Sequence, residues 1–295
     1  MKNSSSPKII ADYMNIVGEG PIWHALDKLL YWVDIVRSQI FWYNPINHSH
    51  GLFFQGSENI GGLTIQEDGA LLLFMEEGRI GILKNGKDLS IISDRISTEK
   101  GNRFNDVVAD PVGRVLCGTM ALNSSGNTEP PGTLYSFDLD RKLTPLIKGV
   151  TIPNGMGFSL DQKTLYYTET LDYKIYQFDY DLSTGQISNR KTFVEFGEGD
   201  GMPDGMTVDS EGFIWSASAG GSKLMRFNLA GEEVHTIEFP AKKVTSVAFG
   251  GSNMTDMFVT SIGGDDRDKN GPAAGALFGL DTGIKGIQEF YSKIT

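Results

Sequence analysis

The feature that most constrains the fold of this chain is a unit of about 45 residues that occurs six times. Each copy has a short apolar strand, a turn with Asp or Gly, a second apolar strand, a loop and a third strand. The copies begin at equivalent anchor positions, which are Glu19, Gly61, Asn105, Asn154, Asp204 and Thr245. Eleven positions after the anchor, five copies carry a large apolar residue: Leu30, Leu72, Leu116, Leu165 and Trp215. This fixed offset indicates a true register.

Repeats of this length, each with three or four short strands, are typical of β-propeller blades. The strands are rich in β-branched and aromatic residues, and no stretch has sustained helical periodicity. We therefore predict an all-β, six-bladed β-propeller that spans residues 1–295 as a single domain. The ring must be closed, and we expect Lys8–Val17 to pair with the last blade near Gly286–Tyr291. The alternative is a β-sandwich in which the regular spacing is accidental.

Charge and cysteine content exclude several classes of function. The net charge is −11 and the pI is about 4.9. A surface with this charge repels phosphate backbones and anionic lipids, so neither nucleic acid nor a membrane is an expected partner. No obligate protein partner is evident. The only cysteine, Cys117, excludes a disulfide framework and a cysteine-rich zinc site. Met1–Val17 has no apolar stretch of signal-peptide length, so we expect a cytoplasmic protein.

The anchors predict a metal site. Each lies at the start of a blade's innermost strand, so the six should form a ring around one mouth of the central channel. Four of them, Glu19, Asn105, Asn154 and Asp204, carry carboxylate or amide oxygens. Two carboxylates in a low-dielectric channel need compensation, and an all-oxygen set suits a hard divalent cation. The alternative is that polar residues at strand ends only satisfy backbone groups.

Several motifs resemble those of the senescence marker protein/regucalcin–gluconolactonase family. They are GEGPIW (18–23), NRFNDVVADPVGRVLCGTM (102–120), PNGMGFSLDQKTLYYTET (153–170) and MPDGMTVDSEGFIW (202–215). The resemblance covers nearly the whole chain. It implies a six-bladed propeller with one catalytic divalent metal ion at the channel mouth, whose identity (Ca, Zn, Mn, Mg or Fe) the sequence leaves open.

The resemblance also implies roles for individual residues. Glu19, Asn154 and Asp204 match the family's metal ligands, and Arg103 and Asn105 match residues that contact the substrate or metal-bound water. In the family, a lid loop after the third blade's GTM motif can carry an acidic substrate contact. The corresponding loop here is Ala121–Gly132, whose only acidic residue, Glu129, is either that contact or a solvated loop residue.

The leading hypothesis is a metal-dependent lactonase that hydrolyses a sugar lactone (an aldonolactone) to the free acid. In this hypothesis the metal polarises the carbonyl and Asp204 is the general base. One alternative is a phosphotriester-type hydrolase that uses the same metal ring. Another is a non-catalytic propeller that binds a metal or handles calcium.

Other local patterns give weaker indications of function. The chain has no G-x-S-x-G motif for a serine hydrolase and no H-E-x-x-H motif for a zinc hydrolase. We expect His48 and His50 to be solvated in a hairpin and His24 to pack in the interior. Asp266–Gly271 resembles half of an EF-hand loop, but the position of the essential Glu is Leu277, so a polar hairpin loop is the better interpretation.

Overall fold

Six antiparallel sheets of four strands each form the blades of the computed structural model, which describes residues 6–122 and 130–294. The first strand of each blade contacts the first strands of its two neighbours, and these six strands surround a central channel. The six-bladed β-propeller predicted from the repeats is therefore confirmed.

The chain begins with β1 (Lys8–Asp12). The first three blades then comprise β2 (Gly18–His24), β3 (Leu29–Asp34), β4 (Gln39–Tyr43) and β5 (His50–Gln55); β6 (Gly62–Ile65), β7 (Leu71–Phe74), β8 (Ile80–Lys84) and β9 (Asp88–Ser93); and β10 (Asn102–Ala109), β11 (Val115–Ala121), β12 (Gly132–Phe137) and β13 (Leu143–Val150). The fourth and fifth comprise β14 (Pro153–Phe158), β15 (Thr164–Glu169), β16 (Lys174–Asp181) and β17 (Gln186–Glu195); and β18 (Met202–Val208), β19 (Ile214–Ala219), β20 (Lys223–Phe227) and β21 (Glu233–Glu238). The sixth contains β22 (Val244–Gly250), β23 (Asp256–Ser261) and β24 (Ala276–Asp281).

The ring is closed by the N-terminal strand, but not with the expected partner. β1 supplies the outermost strand of the sixth blade and pairs antiparallel with β24, with Lys8 opposite Gly279 and Asp12 opposite Ala276. The expectation of pairing near Gly286–Tyr291 was wrong. With β22, β23 and β24 in place, the sixth blade has one strand position left, and β1 occupies it. The segment after β24 is therefore free to leave the sheet.

That C-terminal segment crosses one face of the propeller. The amide of Gly286 donates to the carbonyl of Met254 in the sixth blade, at 2.7 Å. Further along, the amide of Ser292 donates to the carbonyl of Ile65 in the second blade, at 2.8 Å. We call residues 285–294 the C-terminal strap. Phe290 packs on Phe158 beneath the channel, with ring centroids 6.1 Å apart.

The core lies between the blades. Each of the six interfaces between adjacent blades, including that between the sixth and the first, has its own cluster of buried apolar side chains. The register predicted from the repeats is confirmed here, since five side chains at the fixed offset from the anchors are fully buried: Leu30, Leu72, Leu116, Leu165 and Trp215. A single blade taken alone would leave these apolar faces exposed to water.

Helical structure is minor in the described part of the chain. The α-helix α1 (Arg267–Asn270) is one turn long and lies in the connection between β23 and β24. Asp266, at its start, pairs with Lys269 at 2.8 Å, so the segment forms a polar hairpin connection as predicted. Within residues 6–122 and 130–294, no helix is long and apolar enough to span a membrane.

Candidate metal centre

The pairing of the first and second strands is irregular at the anchors. In five blades the register between the first and second strands shifts at or directly beside the anchor: after Glu19, and around Asn105, Asn154, Asp204 and Thr245. A β-bulge re-aims side chains and is frequent near active sites. The second blade, whose anchor is Gly61, has a regular ladder between β6 and β7. The bulges therefore coincide with the polar anchors.

Close approach of neighbouring strands explains the glycines in these motifs. A Cβ atom at Gly61 would lie 1.9 Å from the carbonyl oxygen of Phe104. A Cβ at Gly155, which directly follows Asn154, would lie 2.7 Å from the carbonyl oxygen of Asp204. Only glycine allows this approach. The Pro-Asn-Gly spacing thus brings the fourth and fifth blades together at the anchors.

Hydrogen bonds join the substrate candidates to one proposed ligand. An Nη1 hydrogen of Arg103 is donated to Oδ1 of Asn105 at 2.7 Å, and Nδ2 of Asn105 donates to Oδ1 of Asn154 at 2.9 Å. All three side chains are at least nine-tenths buried. Burial lowers the pKa of Arg103 to about 10, although Glu19 and three other carboxylates oppose that shift. Arg103 therefore remains a cation at neutral pH.

The two anchor carboxylates lie in an environment that disfavours their charge. Glu19 and Asp204 are each 5% exposed, and burial raises the pKa of both well above the usual range. The charge of Asp204 raises the pKa of Glu19 further. Oδ1 of Asp204 is buried with no hydrogen-bond partner, an arrangement that costs free energy unless a further group binds it. A divalent cation would bind this unpartnered oxygen, and it suits the all-oxygen donor set.

In a cation site built on Glu19 and Asp204, the third donor would be an amide. Among the residues that the structure describes, no cluster of three or more His, Cys, Asp and Glu side chains is arranged to hold a metal ion. The candidate set therefore depends on Asn154, whose Oδ1 already accepts one hydrogen bond and keeps a second lone pair. Two carboxylates and one carbonyl-type oxygen are typical of sites for hard cations that also retain water.

The sequence analysis missed Asp106, which lies beside the anchor Asn105. Burial raises the pKa of Asp106 to about 7, and its charge raises the pKa values of both Glu19 and Asp204. Its position after the anchor, within the bulge between Phe104 and Val107, turns it toward the channel. The sequence pattern did not reveal Asp106, because consecutive side chains of a regular strand point to opposite faces. Only a bulge allows both Asn105 and Asp106 to face the channel.

A cavity of about 60 Å³ lies in the channel directly behind the anchors. All six innermost strands line it, together with Glu289 and Phe290 of the C-terminal strap. Burial raises the pKa of Glu289 to about 7, and Thr207 Oγ1 donates to its carboxylate at 3.3 Å. The strap therefore closes the far end of the channel and adds a fourth acidic group to it, after Glu19, Asp106 and Asp204.

Glu289→Gln is expected to raise the melting temperature of chelator-treated protein at pH 8 but not at pH 5. Because the folded pKa is raised, ionisation destabilises the folded state progressively as the pH rises from about 4 through about 7. Allowing for water in the channel, the gain at pH 8 is about 1–2 kcal/mol, or a few degrees. The matched control is Glu198→Gln at an exposed position. An equal gain at both pH values would contradict a titrating Glu289.

The structure brings most of the predicted site residues together and leaves one undescribed. A chain of hydrogen bonds runs from Arg103 through Asn105 to Asn154. Glu19 and Asp204 interact electrostatically across the same channel. Glu129 lies outside the described residues. The histidine predictions are confirmed: His48 and His50 are exposed, while His24 is buried, with Nε2 3.0 Å from the carbonyl oxygen of Gly69.

A family model, curated relatives and solved structures all match most of this chain. The sequence model of the family described as SMP-30/Gluconolactonase/LRE-like region matches residues 17–263, which include all six anchors. Pentonolactonase XacC from Haloferax volcanii is 44% identical over 285 residues, covering 94% of this chain and 95% of the relative. Regucalcin from Xenopus laevis is 34% identical, covering 92% and 93%. A solved luciferin-regenerating enzyme is 29% identical with a TM-score of 0.89, covering 98% of this chain and all of its own.

Proposed function

Because the chain belongs to the SMP-30/gluconolactonase/LRE-like family, we propose that it hydrolyses a sugar lactone with the help of one divalent cation held by Glu19, Asn154 and Asp204. The observation that carries the proposal is the buried, unpartnered Oδ1 of Asp204 in a channel mouth shared with Glu19 and Asn154. A cation bound there would polarise the lactone carbonyl and stabilise the negative charge that develops on its oxygen.

Asp204 is the proposed general base. Burial and the nearby charge of Asp106 raise its pKa, and a cation bound beside the carboxylate would oppose that shift and keep it ionised, so that it can accept a proton. As the oxygen of water bonds to the carbonyl carbon, the carboxylate takes the proton of that water. The ring C–O bond then breaks, and Asp204 returns the proton to the leaving alkoxide. The product is the open-chain hydroxy acid, which releases one proton at neutral pH.

Arg103 and Asn105 are the proposed substrate-binding residues. The guanidinium of Arg103 uses Nη1 for the carbonyl of Phe104 and for Asn105, which fixes the plane of the group. Its remaining N–H donors can bind a hydroxyl or the carbonyl of the lactone. Asn105 lies between Arg103 and Asn154, so it couples the substrate side of the site to the proposed ligand set.

The proposed substrate class is an aldonolactone, and a five-carbon aldonolactone is the first choice. The relative with 44% identity is named a pentonolactonase, and its match covers nearly the whole of both chains. The polar side chains at the channel mouth also suit a ligand rich in hydroxyl groups. A buried polar site of this kind discriminates strongly against an analogue that lacks the hydroxyls, because its donors would then stay unpaired.

A substrate panel read by acid release tests the proposal. It contains a five-carbon aldonolactone, a six-carbon aldonolactone, an unsubstituted aliphatic lactone of the same ring size and a phosphotriester. We expect the highest kcat/KM for an aldonolactone and at least a 100-fold lower value for the aliphatic lactone. Preference for the phosphotriester would favour the alternative hydrolase. A cation-loaded protein inactive on the whole panel would favour the non-catalytic, metal-binding alternative.

Arg103→Ala is expected to lower kcat/KM on an aldonolactone by about 10- to 100-fold, the cost of a lost charged hydrogen bond. The affinity for the cation should stay equal or increase, because the substitution removes a positive charge near Glu19 and Asp204. Arg103→Lys is the matched control, which keeps the charge but loses the planar fork. Cation binding weakened as strongly as in Glu19→Gln would contradict this division of roles.

A further inference from the structure

A side chain of the preceding blade holds the backbone just before each proposed metal ligand. Nδ2 of Asn105 donates to the carbonyl of Pro153 at 2.9 Å, before Asn154. The hydroxyl of Thr170 donates to the carbonyl of Pro203 at 2.8 Å, before Asp204. The hydroxyl of Thr245 donates to the carbonyl of Gly18 at 2.6 Å, before Glu19. The same device thus recurs at three blade interfaces around one ring.

Thr170 also contacts a proposed ligand directly, whereas the second hydrogen bond of Thr245 is to Thr260. Oγ1 of Thr170 accepts a hydrogen bond from Nδ2 of Asn154 at 2.9 Å. That bond fixes the amide of Asn154 with its nitrogen toward Thr170 and its oxygen, Oδ1, toward Asn105. A flipped amide would present N–H donors where an oxygen ligand is required. Through a single hydroxyl, Thr170 therefore links Asn154 in the fourth blade to the backbone just before Asp204 in the fifth.

We propose that Thr170 and Thr245 are positioning residues for the cation site: Thr170 orients Asn154 and holds the strand of Asp204, and Thr245 holds the strand of Glu19. This inference rests on the ligand set of the proposed function. Groups that orient metal ligands affect metal affinity nearly as much as the ligands themselves. Neither threonine belongs to the proposed ligand set, so each would act through the residue that it holds.

A nearby threonine provides a matched comparison. Thr168 lies at the end of β15, two residues before Thr170, and is also buried, at 0% exposure against 4%. Its Oγ1 has no hydrogen-bond partner. Thr→Val is nearly isosteric and removes only the hydroxyl function, so the two positions separate the effect of the hydrogen bonds from that of packing.

The experiment measures the cation affinity of four purified proteins: wild type, Thr170→Val, Thr170→Ser and Thr168→Val. Ca²⁺, Mn²⁺ and Zn²⁺ are first titrated into chelator-treated wild type by calorimetry, and the cation that binds most tightly is used for the variants. We expect Thr170→Val to weaken binding about 10- to 100-fold. Thr170→Ser should restore it to within about threefold, because it keeps the hydroxyl, and Thr168→Val should match wild type.

Each outcome decides the proposal. Unchanged affinity in a folded Thr170→Val protein would overturn it, as would equal losses in Thr170→Val and Thr168→Val. If Thr170→Val does not fold, Thr245→Val carries the test at Glu19, with an expected loss of about 3- to 10-fold for the lost hydrogen bond to the carbonyl of Gly18. A wild type that binds none of the cations would overturn both proposals. A wild type that binds a cation but hydrolyses no lactone would overturn the proposed function and leave this inference standing on the affinities.

Discussion

Asp204→Asn is expected to lower kcat on an aldonolactone by about 10²–10⁴-fold even at saturating cation, the usual contribution of a general base. The substitution keeps an oxygen for the cation but removes the charge and the basicity. The fold should survive, because Asn is nearly isosteric and Asn154 occupies the equivalent position one blade earlier. The measurement is kcat against cation concentration for both proteins.

The matched control for this change is Asp106→Asn, which removes a half-buried carboxylate from the same channel without removing a proposed ligand or base. We expect a loss of less than about tenfold there. The wild-type rate should also fall in acid, because Asp204 must be ionised to accept a proton. Full recovery of the Asp204→Asn rate at high cation concentration would show that Asp204 is only a ligand.

Glu19→Gln is expected to change stability in opposite directions with and without the cation. In chelator at pH 8, the variant should melt at a higher temperature than wild type, because burial and two neighbouring carboxylates oppose the charge of Glu19. The raised folded pKa means that this difference disappears below about pH 4–5, where wild-type Glu19 is protonated in both the folded and the unfolded state. The measurement is the melting temperature at both pH values.

Adding cation should reverse the order. At 100 times Kd, a ligand that binds only the folded state stabilises it by about 2.7 kcal/mol, which corresponds to a rise on the order of 5 °C in wild type. Glu19→Gln should gain much less, because one charged ligand is lost. Equal gains in the two proteins, or a wild-type melting temperature indifferent to chelator and to cation, would contradict a site that includes Glu19.

The repeats were sufficient to predict the blades, because a fixed spacing of apolar positions reflects the packing of one sheet on the next. Leu30, Leu72 and Leu116 recur at one offset for that reason, and each is fully buried. The same periodicity could not identify the strand that closes the ring. The segment 286–291 has the apolar content of a strand, but the amide of Gly286 bonds to Met254, between β22 and β23, rather than to β24.

Within the site, the sequence predicted which residues carry oxygen but not how they are held. Asp106 faces the channel because a bulge interrupts the alternation of β10. Thr170 lies 16 residues from Asn154 in the chain, yet its hydroxyl is 2.9 Å from the amide nitrogen of that residue. Such contacts depend on how the strands pair and on how adjacent blades pack, which a single sequence specifies only through the finished fold.

The most direct test of the account is the rate of acid release from a five-carbon aldonolactone as cation is added back to chelator-treated protein, with bound cation counted in the same samples. We predict a rate near background in the treated wild type, which rises to a plateau at one bound cation per chain. Glu19→Gln should require a much higher cation concentration to approach that plateau. A full rate in wild-type protein that holds no cation would contradict the central claim.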